Sequence, residues 1–125
     1  MSRRRTSTHR RLAALALAAL PAAGCAADRW QDYDASLYRR LRENDAASVQ
    51  DHLALLKQII DRAEARNERP PPSVYAEYGY GVAMAGQVDV GLVYLDRETA
   101  SYPESRTFVV VLKRAVAGEQ KVLQP

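Results

Sequence analysis

The chain has 125 residues with one cysteine, 18 Lys or Arg and 15 Asp or Glu, a formal net charge of +3. Five of the arginines lie in residues 1–24, where there is no acid, so the rest of the chain carries 13 basic and 15 acidic residues, a balance of −2. Interleaved charges without a basic stripe exclude a nucleic-acid partner, and a lone cysteine excludes an internal disulfide and a cysteine-based metal site.

Residues 1–24 read as an export signal. Arg3, Arg4, Arg5, Arg10 and Arg11 precede the apolar run Leu12–Leu20, which Pro21 breaks ahead of Ala22-Ala23-Gly24-Cys25. Charge, greasy helix, breaker and small residues in that order make a bacterial secretory signal. A cysteine directly after small residues is what a lipoprotein signal peptidase needs, since the backbone then fits the protease groove and the thiol takes the lipid. Cys25 is therefore the expected lipidation site. Ala22 stands where Leu is usual, and the alternative is an ordinary signal cut after Ala27. The arginine pairs lack the aromatic residue that follows them in twin-arginine export. With Ala26 next to Cys25, the expected destination is the outer membrane, with the protein facing the periplasm. The apolar run is too short for a bilayer core of about 30 Å, so attachment is expected through the lipid anchor alone.

The expected division is a signal over 1–24, a lipidated tether over 25–32, one helical domain over 33–118 and a frayed tail over 119–125. Asp32 or Asp34 is suited to cap a first helix running to about Arg42, with Leu37 and Leu41 on one face. Ser48 and Asp51 form a plausible capping box for the second. In it Val49, Leu53, Leu56, Ile60 and Ala63 recur at steps of four and three, one stripe of an α-helix. Pro70-Pro71-Pro72 ends it in an extended spacer. A third helix is expected over Val74 to Ala85, closed by Gly86 in a left-handed conformation. A fourth runs from about Asp89 to Ser101. The fifth starts at Pro103-Glu104 and closes at Gly118. Phe108 to Leu112 is rich in β-branched residues, but no second strand exists to pair with it, so it too is expected to be helical. The fold class is all-α.

Counting back from Pro103 exposes a unit of tetratricopeptide type, 34 residues long. With Pro103 at position 32, Tyr75, Tyr78, Gly79, Val82, Gly91 and Leu95 fill positions 4, 7, 8, 11, 20 and 24 with the residue types the repeat uses. The glycines let two antiparallel helices approach, and Tyr75, Tyr78, Val82 and Leu95 fill the space around the crossing. Glu98 falls at position 27, where a small residue is expected. It implies a loosened contact or a partner group that accepts it. The expected architecture is a tetratricopeptide-like helical-hairpin array of about five helices. Positions 5, 9 and 12 of such a unit line a concave groove; Ala76, Tyr80 and Ala83 occupy them and, with the adjacent Met84, are the candidate partner-binding residues.

Trp30-x-Asp32-Tyr33-Asp34, Leu37-Tyr38, Pro71-Pro72, Tyr75-Ala76-Glu77-Tyr78-Gly79-Tyr80, Gly86 and Tyr102-Pro103-Glu104-Ser105 together resemble the bacterial lipoprotein family with domain of unknown function 4810, over residues 30–117. Gln31 stands where that family usually has Gly, and Tyr102 where it has Trp. The resemblance implies a small helical envelope lipoprotein with no assigned enzymatic activity, working with other lipoproteins, CsgG-like ones included.

The residues offer little chemistry. Asp51-His52 lacks a G-x-S-x-G elbow and a free cysteine nucleophile, and His52 is expected on the surface of its helix. No acid or histidine spacing makes a metal site. Gly79-Tyr80-Gly81 sits inside a helix, not between a strand and a helix as a phosphate loop does. The expected function is thus a non-enzymatic adaptor that needs no cofactor or metal and binds an envelope protein or lipoprotein. The alternatives are a structural accessory that tethers an export or assembly complex through Trp30 to Leu41, and a small-ligand-binding or hydrolytic periplasmic protein.

Overall fold

The computed structural model describes residues 27–123; Cys25 and the 1–24 segment lie outside them. The described residues are all-α, five helices without a strand, and no helix among them is long and apolar enough to cross a membrane.

Helix α1 spans Ala27–Glu43. It starts ahead of the expected caps: Asp32 and Asp34 are inside it, and most of the expected tether is helical. Neither Gly nor Pro interrupts 27–43, so nothing in the sequence stops the helix from extending back to Ala27. Asn44, in the left-handed region at φ 47°, ends it. Asp45 then caps α2, Ala46–Glu64. Its Oδ1 accepts the Ser48 N–H at 2.7 Å, and Ser48 Oγ accepts the Asp45 N–H at 3.2 Å. The capping box is Asp45–Ser48, three residues earlier than the Ser48–Asp51 box expected, because the two-residue turn leaves Asp45 as the last non-helical residue.

The proline segment is pinned to the end of α4, Val88–Ser101. Pro70 is buried, and its carbonyl accepts the Tyr102 hydroxyl at 2.6 Å. Arg69 donates to the Ser101 carbonyl at 2.7 Å and lies over the Tyr102 ring. Helix α3, Val74–Met84, closes one residue earlier than expected, with Gly86 at φ 97°.

Helices α3 and α4 run antiparallel and touch through two glycines. A Cβ on Gly79 would sit 2.7 Å from the Gly91 carbonyl oxygen, and one on Gly91 would sit 2.6 Å from the Ala83 Cβ. Only hydrogen fits there. Pro103–Ser105 forms a 3-10 turn into α5, Arg106–Leu123. Phe108 to Leu112 is helical as expected. The helix runs straight through Gly118, which has no positive φ, so the expected close at Gly118 is corrected; the expected tail is helical as far as Leu123, and 124–125 lie outside the described residues.

Two apolar clusters hold the layers. Leu53, Leu56, Ile60, Val74 and Tyr75 join α2 to α3, while Ala76, Leu95 and Val109 join α3 and α4 to α5. Each fully buried Leu or Ile contributes roughly 1.5–3 kcal/mol.

Candidate functional site

The repeat residues go where their spacing puts them. Tyr75, Gly79, Val82, Gly91 and Leu95 are buried, and Tyr78 is half-buried. Tyr78 meets Tyr94 edge to face, with ring centroids 4.7 Å apart. The Tyr75 hydroxyl donates to Glu64 Oε1 at 2.8 Å, and Arg97 bonds the same oxygen at 2.9 Å, tying α2, α3 and α4 together. Burial pushes the Tyr75 phenol up to about 12, helped by the Glu64 hydrogen bond and charge.

The four candidate contact residues separate. Ala76 is fully buried against Leu95 and Val109, and Ala83 is buried over Gly91. Neither reaches a partner, which corrects the expectation for those two: on α3 the small residues serve the α4 and α5 contacts. Tyr80 is half-buried and Met84 is 42% exposed, so the accessible part of the expected surface is Tyr80 with Met84.

A polar centre joins α1, α2 and α3. His52 is fully buried, not a surface residue, because it lies four residues before Leu56 on the stripe that faces inward. Its Nε2 is 2.8 Å from Glu77 Oε1 and its Nδ1 is 2.9 Å from Ser36 Oγ. A carboxylate only accepts, so a neutral ring carries its hydrogen on Nε2 and accepts the Ser36 hydroxyl at Nδ1. The Tyr33 hydroxyl donates to Glu77 Oε2 at 2.7 Å, and Arg40 is 3.6 Å from Oε1. Burial works against the Glu77 carboxylate, but hydrogen bonds from His52 and Tyr33, with the Arg40 charge, outweigh it and hold its pKa below the usual range. Tyr33 moves the other way, up to about 12, through burial and then the Glu77 bond and charge.

Ser36, His52 and Glu77 have the order of nucleophile, base and orienting acid. Ser36 is inside α1, where neighbouring N–H groups serve the helix and not an oxyanion. A cleft of about 240 Å³ between α2 and α3 is lined by Gln50, Leu53, Ala54, Lys57, Tyr78, Val82, Ala85 and Gln87, and includes none of the three. The arrangement clamps α1 onto the other helices. Among the described residues no group of His, Cys, Asp and Glu is placed to hold a metal ion.

Glu98 is the second residue whose role the sequence left open. It is fully buried, and its carboxylate accepts from the Ser73 N–H at 2.9 Å, the Ala76 N–H at 3.4 Å and the Ser105 hydroxyl at 3.1 Å. The group that accepts the intruding acid is thus the open end of α3, where four N–H groups lack helical partners.

Residues 29–112 match the family described as Domain of unknown function (DUF4810), and the chain belongs to that family. No curated protein and no solved structure matches it.

Proposed function

We propose that this member of the DUF4810 family is a lipid-anchored envelope protein that acts as a non-enzymatic adaptor, binding another envelope protein or lipoprotein through the outer side of α3. The observation that carries the reading is the division of labour along α3. Tyr75, Ala76, Gly79, Val82 and Ala83 are consumed by contacts with α2, α4 and α5, while Tyr80 and Met84 remain at the surface and make no hydrogen bond among the described residues. A phenol with one wet end and one apolar face is a good interface anchor. The signal-like residues 1–24 and Cys25 support the outer-membrane, periplasm-facing placement, and the tetratricopeptide-like spacing supports peptide or helix binding on this face. A CsgG-like lipoprotein is the partner class the family resemblance favours.

A second reading, a tether that stabilises an export or assembly complex through α1, is favoured by Tyr38 and Leu41, which are 65% and 70% exposed on that helix. Crosslinking in intact cells, followed by capture of the tagged chain and mass spectrometry, separates the two. The adaptor reading requires one stoichiometric envelope partner that is lost with Cys25→Ala and weakened by Tyr80→Ala. Loss with Tyr38→Ser and Leu41→Ser, at unchanged recovery for Tyr80→Ala, would select α1. Recovery of nothing above background would sink both.

A further inference from the structure

Helix α5 has more apolar surface than its own fold uses. Val109 and Val116 are buried, yet Phe108 and Val111 remain 49% and 57% exposed, and Ala115 and Gly118 are exposed on the same side. Steps of three, four and three residues place these four at the a and d positions of a heptad, within about 80° of one another at 100° per residue.

Gly118 adds an independent point. It is helical and lacks a positive φ, and an added Cβ would meet nothing within 4 Å. Glycine weakens a helix relative to alanine, and nothing among the described residues requires it there. It leaves room for a second backbone to approach closely.

The flanking charges indicate what approaches. Arg114 precedes Ala115 and Glu119 follows Gly118, and neither makes an ion pair among the described residues. These are g and e positions five residues apart, which meet between two parallel helices. An antiparallel pair would instead set Arg114 against Arg114.

We propose that α5 packs in parallel on α5 of a second copy of this chain, along Phe108, Val111, Ala115 and Gly118, with Arg114 of each copy bonded to Glu119 of the other. Phe108 pairs with its equivalent at the start of the helix, and the small residues allow the closest approach near the end. The stripe covers only three turns, so the pair is weak and reversible. This inference stands apart from the adaptor reading, because it uses α5 and not the Tyr80 surface.

Full-length chains bearing two different tags, co-expressed and captured through one tag after brief crosslinking, test it. The wild-type chains are expected to co-purify. R114E or E119R in both copies lowers recovery of the second tag about fivefold or more, since one change places like charges in both symmetric contacts. Pairing an R114E copy with an E119R copy rebuilds both contacts and is expected to restore recovery to within about twofold of wild type, a gain no folding defect produces. Absence of wild-type co-purification, or failure of the mixed pair to recover, overturns the proposal. Loss with R114E but not with E119R also overturns it and assigns the stripe to a foreign acidic partner.

Discussion

The carboxylate of Glu98 in α4 accepts the backbone N–H of Ser73, 25 residues earlier, at 2.9 Å, and so caps α3 from a neighbouring helix. Ser73 itself stands at φ 74° and its side chain makes no capping bond. A negative charge against the positive end of the helix supplies what the local residue does not. Glu98→Ala leaves Ser73 N–H, Ala76 N–H and Ser105 Oγ without this acceptor, and it is expected to cost about 3 kcal/mol in urea unfolding. Glu98→Gln keeps one acceptor but turns an NH₂ toward a donor, for a loss of about 1–2 kcal/mol. A Glu98→Ala loss below about 0.5 kcal/mol would mean that water replaces the carboxylate at no cost.

The His52–Glu77 pair is a second long-range bond, between α2 and α3, and it gathers Ser36 and Tyr33 of α1 around it. Removing one member leaves a buried polar group unpaired, so His52→Ala is expected to cost about 3 kcal/mol. A double-mutant cycle with Glu77→Ala should give a coupling of about 1–3 kcal/mol. Additive losses would show that the ring and the carboxylate stabilise the fold separately.

These two acids and one histidine show where legibility stopped. The α2 stripe predicted Val49, Leu53, Leu56, Ile60 and Ala63 as core because apolar letters repeat with the helical period; the last four are buried and Val49 is half-buried. The same period placed His52 on that face, four residues before Leu56. Its burial is not legible there, because the ring satisfies its hydrogen bonds through partners 16 and 25 residues away, which a local pattern does not contain. Glu98 announced itself as a mismatch in the repeat, but its acceptor role depends on α3 ending beside it. The glycine pair was legible since close helix approach needs Gly at fixed positions. The contact surface was only half legible: the spacing put Ala76 and Ala83 on α3 but did not reveal that α4 and α5 would cover them.

Stability should fall at both ends of the pH range. The Tyr33 and Tyr75 phenols are raised from a usual 10.0 to about 12 in the folded chain. The unfolded chain therefore loses these protons first, so their contribution is intact below pH 10 and is lost as pH rises from there through about 12. Glu77 is shifted down from 4.5, so its contribution is present above that value and is lost as pH falls through the lower folded value. Melting temperatures across the range should show both arms. Tyr33→Phe should flatten the alkaline arm, and an ultraviolet titration in which every tyrosine ionises near 10 would refute it.

Two glycine-to-alanine changes should move stability in opposite directions. Gly79→Ala drives a Cβ to 2.7 Å from the Gly91 carbonyl oxygen and 2.9 Å from the Tyr94 Cβ. Neither backbone nor Cβ yields easily, so a loss of about 2 kcal/mol or more is expected. Gly118→Ala meets open space in a helical conformation and should raise the stability of the dilute chain by about 0.5–1 kcal/mol. Denaturant midpoints of the two variants decide the matter, and a destabilising Gly118→Ala in dilute solution would show that α5 does not continue through 118 as a helix.

Tyr80→Ala tests the surface on which the adaptor reading rests. The ring is half-buried and meets no other aromatic ring among the described residues, unlike Tyr75 and Tyr78, which meet Tyr94. Its removal should cost under about 1 kcal/mol, a melting shift of less than about 4–8 °C for a domain of this size. Recovery of the envelope partner should fall about tenfold or more if Tyr80 is an anchor, since truncating such a residue costs 2 kcal/mol or above. Met84→Ala should act in the same direction by less, its side chain being flexible and already in water. A large drop in melting temperature would instead make Tyr80 part of the core, and the contact surface would then have to be sought at Tyr38 and Leu41 of α1.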